Sequence, residues 1–94
     1  MESKFTYKKI PGGKGIRLEI EYDSSITKAR ITGDFFLFPE ESILKIEEAL
    51  VGISIPIKKE DAKGLVEAAL KKSNASLVGV SAEDIAEMLV ELTR

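Results

Sequence analysis

From Ile16 to Asp23 apolar and charged residues alternate without a fault. Ile16, Leu18, Ile20 and Tyr22 fall on one face of an extended chain, and Arg17, Glu19, Glu21 and Asp23 on the other. Such a strand has one face to bury and one to leave in water, so the rest of the chain must supply a second layer. Pro11-Gly12-Gly13-Lys14-Gly15 comes just before it, rich in residues that reach turn dihedrals cheaply. Earlier still, Lys4 to Ile10 reads as a strand with Phe5 and Tyr7 on a shared face, so the segment to Asp23 forms a hairpin. Asp23-Ser24-Ser25 makes the next turn. Ile26 to Phe35 then gives a third strand, with Ala29, Ile31, Gly33 and Phe35 on one side and Lys28, Arg30 and Thr32 on the other. A three-stranded antiparallel meander is expected.

The period changes at Pro39. Proline is tolerated at a first helical position, Glu40 and Glu41 suit the positive end of a helix dipole, and Ile43, Ile46 and Leu50 recur at helical spacing up to Gly52. The first helix is therefore expected over 39–51. Ile53-Ser54-Ile55-Pro56-Ile57 reads as an extended connector, because the residue before a proline avoids helical angles. A second helix is expected over 59–72, with Leu65, Val66, Ala69 and Leu70 inward, Lys71 and Lys72 at its negative end, and Gly64 weakening its first half. The last helix has the clearest start: Ser81 as cap, Glu83 and Asp84 in the first turn, and Val80 and Ile85 at the spacing of a hydrophobic staple. Ile85, Met88, Leu89 and Leu92 form its stripe. The expected fold is a single α+β domain over 1–94, the meander followed by three helices packed on one face of the sheet.

The available chemistry is narrow. The chain has neither Cys nor His, which excludes disulfides, Cys/His zinc sites, iron–sulfur ligation, a thiol nucleophile and an imidazole base. Its longest apolar run is Phe35-Phe36-Leu37-Phe38, far short of the roughly 18 residues a membrane span needs. Met1-Glu2-Ser3-Lys4-Phe5 has no apolar stretch behind it, so a cytoplasmic setting is expected. Acidic side chains are plentiful, but Glu47, Glu48, Glu67, Glu87 and Glu91 fall on polar helix faces, where solvation keeps their pKa values ordinary. Asp34 stands apart, between Gly33 and two phenylalanines just before a helix with no orthodox cap, and its expected role is structural, accepting the free amides of that helix. No catalytic set and no metal site emerges.

Two features point outward. The Pro11 to Gly15 turn with Lys14 has the makings of an anion cradle, although a strand rather than a helix follows, so it is not an NTP-binding loop by itself. In the Phe35–Phe38 cluster, a continuing strand must point Phe35 and Phe36 to opposite faces, so one aromatic ring lies exposed unless the chain bends at Gly33. Residues 1–38 hold seven basic and five acidic residues, and residues 39–94 seven and eleven, so the sheet is the basic side of an acidic chain. Nucleic-acid binding through a basic stripe fits poorly.

Ala29-Arg30-Ile31-Thr32-Gly33-Asp34-Phe35-Phe36, followed by an acidic helix ending Glu48-Ala49-Leu50-Val51-Gly52, resembles the small C-terminal domain of lipoate-protein ligases. The Lys9-Ile10-Pro11-Gly12-Gly13-Lys14 turn is similar to the start of that domain where archaea encode it as a separate subunit. In this family a large domain or subunit holds the lipoate pocket, the ATP site and the essential lysine, and the small one assists formation of lipoyl-AMP. The resemblance implies a noncatalytic accessory subunit, inactive alone, that forms a heterodimer with a large catalytic subunit. The complex uses ATP, Mg²⁺ and lipoate, with lipoyl acceptor domains as indirect partners. Because the apolar cluster and the basic turn lie on the same sheet, Phe35, Phe36, Leu37 and the turn residues Pro11, Gly12 and Gly13 are expected to face the large subunit, with Lys14 toward the nucleotide and Gly33 and Asp34 as the structural motif. A free-standing protein-interaction module without a ligase partner is the alternative. The similar iron–sulfur scaffold fold is closed to a chain without cysteine.

Overall fold

The computed structural model describes residues 2–11 and 14–94, and the Lys14 side chain lies outside the described part with Gly12 and Gly13. The alternating segment is the middle strand of a three-stranded antiparallel sheet: β1 (Glu2–Ile10), β2 (Lys14–Tyr22) and β3 (Ile26–Gly33), in that order. β1 meets β2 from Glu2↔Tyr22 to Ile10↔Lys14, and β2 meets β3 from Ile16↔Gly33 to Tyr22↔Ile26 with an irregularity at Glu21 and Tyr22. This register stacks Ile16, Leu18 and Ile20 beside Ala29 and Ile31 on one face, all buried. Each fully buried large aliphatic side chain is worth about 1.5–3 kcal/mol relative to exposure.

Three helices cover that face: α1 (Ser42–Leu50), α2 (Lys59–Lys72) and α3 (Ala82–Thr93). α1 lies on β3, α3 lies on β1 and β2, and α2 packs against both other helices. Ile46 and Leu50 from α1, Ala62 and Val66 from α2, and Ile85, Met88, Leu89 and Leu92 from α3 complete the core with the sheet residues. The expected α+β architecture is therefore the observed one. α3 begins as its sequence requires: the Ser81 hydroxyl accepts from the Asp84 amide while the Asp84 carboxylate accepts from the Ser81 amide, a reciprocal capping box.

Three local expectations are corrected. α1 starts at Ser42 rather than Pro39, because Ser42, Ile43 and Leu44 donate to the carbonyls three residues back (Pro39, Glu40 and Glu41), a tighter turn that precedes regular helix. Glu40 and Glu41 thus lie outside the first helical turn. Asp34 does not cap α1, which has no side-chain cap. β3 ends at Gly33, and the apolar cluster after it forms a separate strand, β4 (Phe36–Phe38), paired antiparallel with β5 (Ser76–Val78) in a two-stranded ribbon.

Candidate functional site

The Gly33-Asp34 motif is a backbone device. The Asp34 amide donates to the Gly15 carbonyl at 2.8 Å, which ties the end of β3 to the first residues of β2 beside the hairpin turn. Gly33 has φ +151°, and a Cβ there would fall within contact distance of the Gly15 carbonyl oxygen and 2.9 Å from the Ile16 Cα. Only glycine fits a position that combines such a dihedral with backbone on the side where a methyl group would go. The Asp34 side chain is exposed. The bond from the Asp34 amide sets Gly15, the residue after Lys14, beside the Gly33-Asp34 end of β3. Gly12, Gly13 and the Lys14 side chain lie outside the described residues.

In the ribbon, alternation decides which rings face water. Leu37 pairs with Leu77 and turns inward, with Leu37 only 6% exposed. Phe36 pairs with Val78, Phe38 pairs with Ser76, and Phe36, Phe38 and Val78 are each more than half exposed. The Phe36 and Phe38 rings stack in parallel planes with centroids 6.3 Å apart. Phe35, half buried, packs against the core. So Phe36 alone of Phe35, Phe36 and Leu37 presents its ring outward, and it does so beside Phe38 and Val78. Alternation through residues 35–38 carries the signal for Phe38. The signal for Val78 is weaker, because a three-residue strand has no period to read. A shallow groove of about 370 Å³ runs between this ribbon and the end of β3, lined by residues that include Thr32, Gly33, Phe36, Phe38 and Ile43.

A second aromatic surface lies on the sheet face away from the helices. Phe5 and Tyr7 are about 60% exposed there, and the Arg17 guanidinium sits 4.1 Å from the Phe5 ring centroid. Lys9, Lys28 and Arg30 are exposed on the same face, where Lys28 reaches Glu21 and Arg17 approaches Glu19.

Charged groups on the helix side act structurally. Lys8 pairs with Glu87 and with Asp84 at 3.4 Å, and Lys59 reaches Glu83 at 3.0 Å and Glu87 at 3.2 Å, which links β1, α2 and α3. The hydrogen bond to Glu87 raises the Lys8 ammonium pKa above its ordinary value, and the bond to Glu83 does the same for Lys59. Glu87, expected to be an ordinary solvated carboxylate, is held below its usual range by Lys8 first and Lys59 second. Glu47 is also more than a solvated carboxylate: its carboxylate accepts the Ile31 amide at 2.7 Å and so satisfies a donor on the outer edge of β3. Among the described residues, no three His, Cys, Asp or Glu residues stand close enough to share a metal ion. Among the described residues, no helix is long and apolar enough to cross a membrane.

No protein-family model matches the chain. Among curated proteins it is similar to Lipoate-protein ligase A subunit 2 of Thermoplasma acidophilum, 46% identical over 41 residues, which is 43% of this chain. The match spans 44% of that relative's length. Among solved structures, its fold is similar to a chain of an archaeal lipoylation system from Thermoplasma acidophilum, described as a bi-partite lipoate protein ligase and its E2 lipoyl domain. The TM-score is 0.71 at 28% identity, over 94% of this chain and 97% of that one. The resemblance to lipoate-protein ligases therefore holds: the chain is similar to the second subunit of an archaeal two-part lipoate-protein ligase.

Proposed function

We propose that this chain is the noncatalytic accessory subunit of a two-chain lipoate-protein ligase. It acts with a large catalytic subunit in the ATP-dependent activation of lipoate to lipoyl-AMP, ahead of lipoyl transfer to a lysine of an acceptor domain. The observation that carries this reading is the fold likeness, which spans nearly all of both chains at a TM-score of 0.71. The residue inventory is consistent with it, since a chain without thiol or imidazole has few groups for nucleophilic or general base chemistry. In this proposal Mg²⁺, ATP and lipoate are used by the complex, with the lipoate pocket and the ATP site in the large subunit, as the resemblance implies. The accessory subunit's part is then conformational: it holds loops of its partner in the adenylation-competent arrangement and keeps water from a reactive mixed anhydride.

The docking side in this proposal is the end of the molecule that carries the hairpin turn and the β4–β5 ribbon. The exposed Phe36 supplies an apolar anchor, and aromatic side chains are over-represented among residues that dominate interface energies. Lys14, in the basic turn beside the apolar cluster, is assigned to the nucleotide side of that contact. Phe36→Ala and Lys14→Ala, each assayed with the large subunit present, are expected to lower lipoate adenylation. If both variants support normal activation, the site assignment is wrong.

A further inference from the structure

The two edges of the three-stranded sheet are treated differently. Along β3 the outward backbone groups find partners within the chain: Ile26 donates to Ile53 at 2.9 Å and accepts from Gly52 at 2.7 Å, Ser25 bridges to Ser54, and Ile31 donates to Glu47. Along β1, nine residues long, the backbone pairs with β2 alone, and its other edge has no backbone partner among the described residues. A long unpartnered edge is a template for another strand, and proteins normally shorten, cover or charge it.

We propose that the outer edge of β1 takes up an extended, acidic segment of the large catalytic subunit as a fourth strand. This inference rests on the accessory-subunit reading and adds where and by what chemistry the partner is held. Backbone hydrogen bonds along the edge give affinity, and alternate side chains give selectivity. The charge pattern selects the occupant. Lys8 is taken up by Asp84 and Glu87 of α3, which leaves Lys4 and Lys9 of β1 against Glu2, and the adjacent open face adds Arg17, Lys28 and Arg30 to its cationic side, where Glu19 and Glu21 are each already approached by a cation. A second copy of the chain brings the same excess of lysines to the seam, and like charges across a strand pair are unfavourable. An incoming strand that turns its carboxylates to the open face, away from the Asp84, Glu87 and Glu91 that α3 sets beside β1, meets no such opposition. Phe5 and Tyr7, exposed on the open face, flank its path with apolar surface.

The test is amide hydrogen exchange of the full chain, alone and with the large subunit of the Thermoplasma acidophilum two-part ligase. The expected result is at least tenfold slower exchange at alternate residues of β1 in the complex, with β3 unchanged. Lys9→Glu is expected to weaken the complex at least tenfold while the unfolding midpoint of the free chain stays put. If the complex forms with β1 exchange unaltered, the edge assignment is overturned and the accessory-subunit reading survives. Failure to form any complex overturns both. Concentration-dependent protection of β1 in the chain alone, with a doubled mass, makes a second copy the occupant and overturns the proposal.

Discussion

Replacing Gly33 with alanine tests whether the glycine of the Gly-Asp-Phe-Phe segment is there for backbone geometry. The residue has φ +151°, a region that costs a side-chain-bearing residue on the order of 1–3 kcal/mol. The added methyl group meets the Gly15 carbonyl and the Ile16 Cα at 2.9 Å, both backbone atoms of the central strand that no rotamer change can move aside. Relief requires β2 and β3 to separate at this end, which loosens the 2.8 Å bond from the Asp34 amide and removes a further contribution of about 1 kcal/mol. The combined cost is about 2–4 kcal/mol, a large fraction of the roughly 5–15 kcal/mol that holds an ordinary domain together. At roughly 4–8 °C per kcal/mol for a domain of this size, the melting temperature falls by about 8–32 °C. Urea unfolding followed by far-ultraviolet circular dichroism reads the loss as a lowered midpoint at unchanged slope. Gly64→Ala is the internal control: Gly64 is helical and a Cβ there meets nothing within 4 Å, so alanine should stabilise by about 0.5–1 kcal/mol. A Gly33→Ala chain within about 0.5 kcal/mol of wild type would refute the geometric account of the motif.

Other expectations follow from the same structure. Ser81→Ala removes the hydroxyl half of the α3 capping box and should cost about 1 kcal/mol by the same urea assay. Partial burial pushes the Asp84 carboxyl up, but the amide and hydroxyl of Ser81 and the Lys8 ammonium together hold it below its usual range. The stability it contributes is present above the unfolded-state value near 4 and is lost as pH falls through the lower folded value, so Asp84→Asn should lose less stability than wild type over that acid interval. Unfolding midpoints at pH 6 and pH 3 for both chains check the sign. Phe36→Ala and Phe38→Ala truncate exposed rings, so each should leave the midpoint of the isolated chain nearly unchanged while weakening its complex with the large subunit about tenfold or more in a calorimetric titration.

How far these features could be read in advance depended on chain length and on local against distant partners. β2 was legible to within two residues and the start of α3 to the residue, because each states its period locally: strict alternation in one, a cap, two acids and an apolar stripe in the other. α2 was legible from its apolar spacing and the two lysines at its negative end. The start of α1 was misread because a proline followed by glutamates signals a first turn equally well whether the next bonds are helical or one residue tighter. β5 was hidden because Ser76-Leu77-Val78 is too short to show a period and its partner β4 lies some forty residues earlier. Alternation required one of Phe35 and Phe36 to lie exposed, but which ring it is, and the inward turn of Leu37, depended on the long-range pairing of the ribbon. The role of Asp34 was assigned to its carboxylate, whereas its backbone amide makes the contact. Such a bond to a distant carbonyl leaves no trace in side-chain chemistry.

The most direct measurement of the central claim is lipoate-dependent pyrophosphate exchange by a large catalytic subunit with and without this chain. The account predicts negligible exchange by the chain alone and activation of lipoate switched on when the two are combined. Full exchange by the large subunit unaided, unaltered on adding the chain, would contradict it.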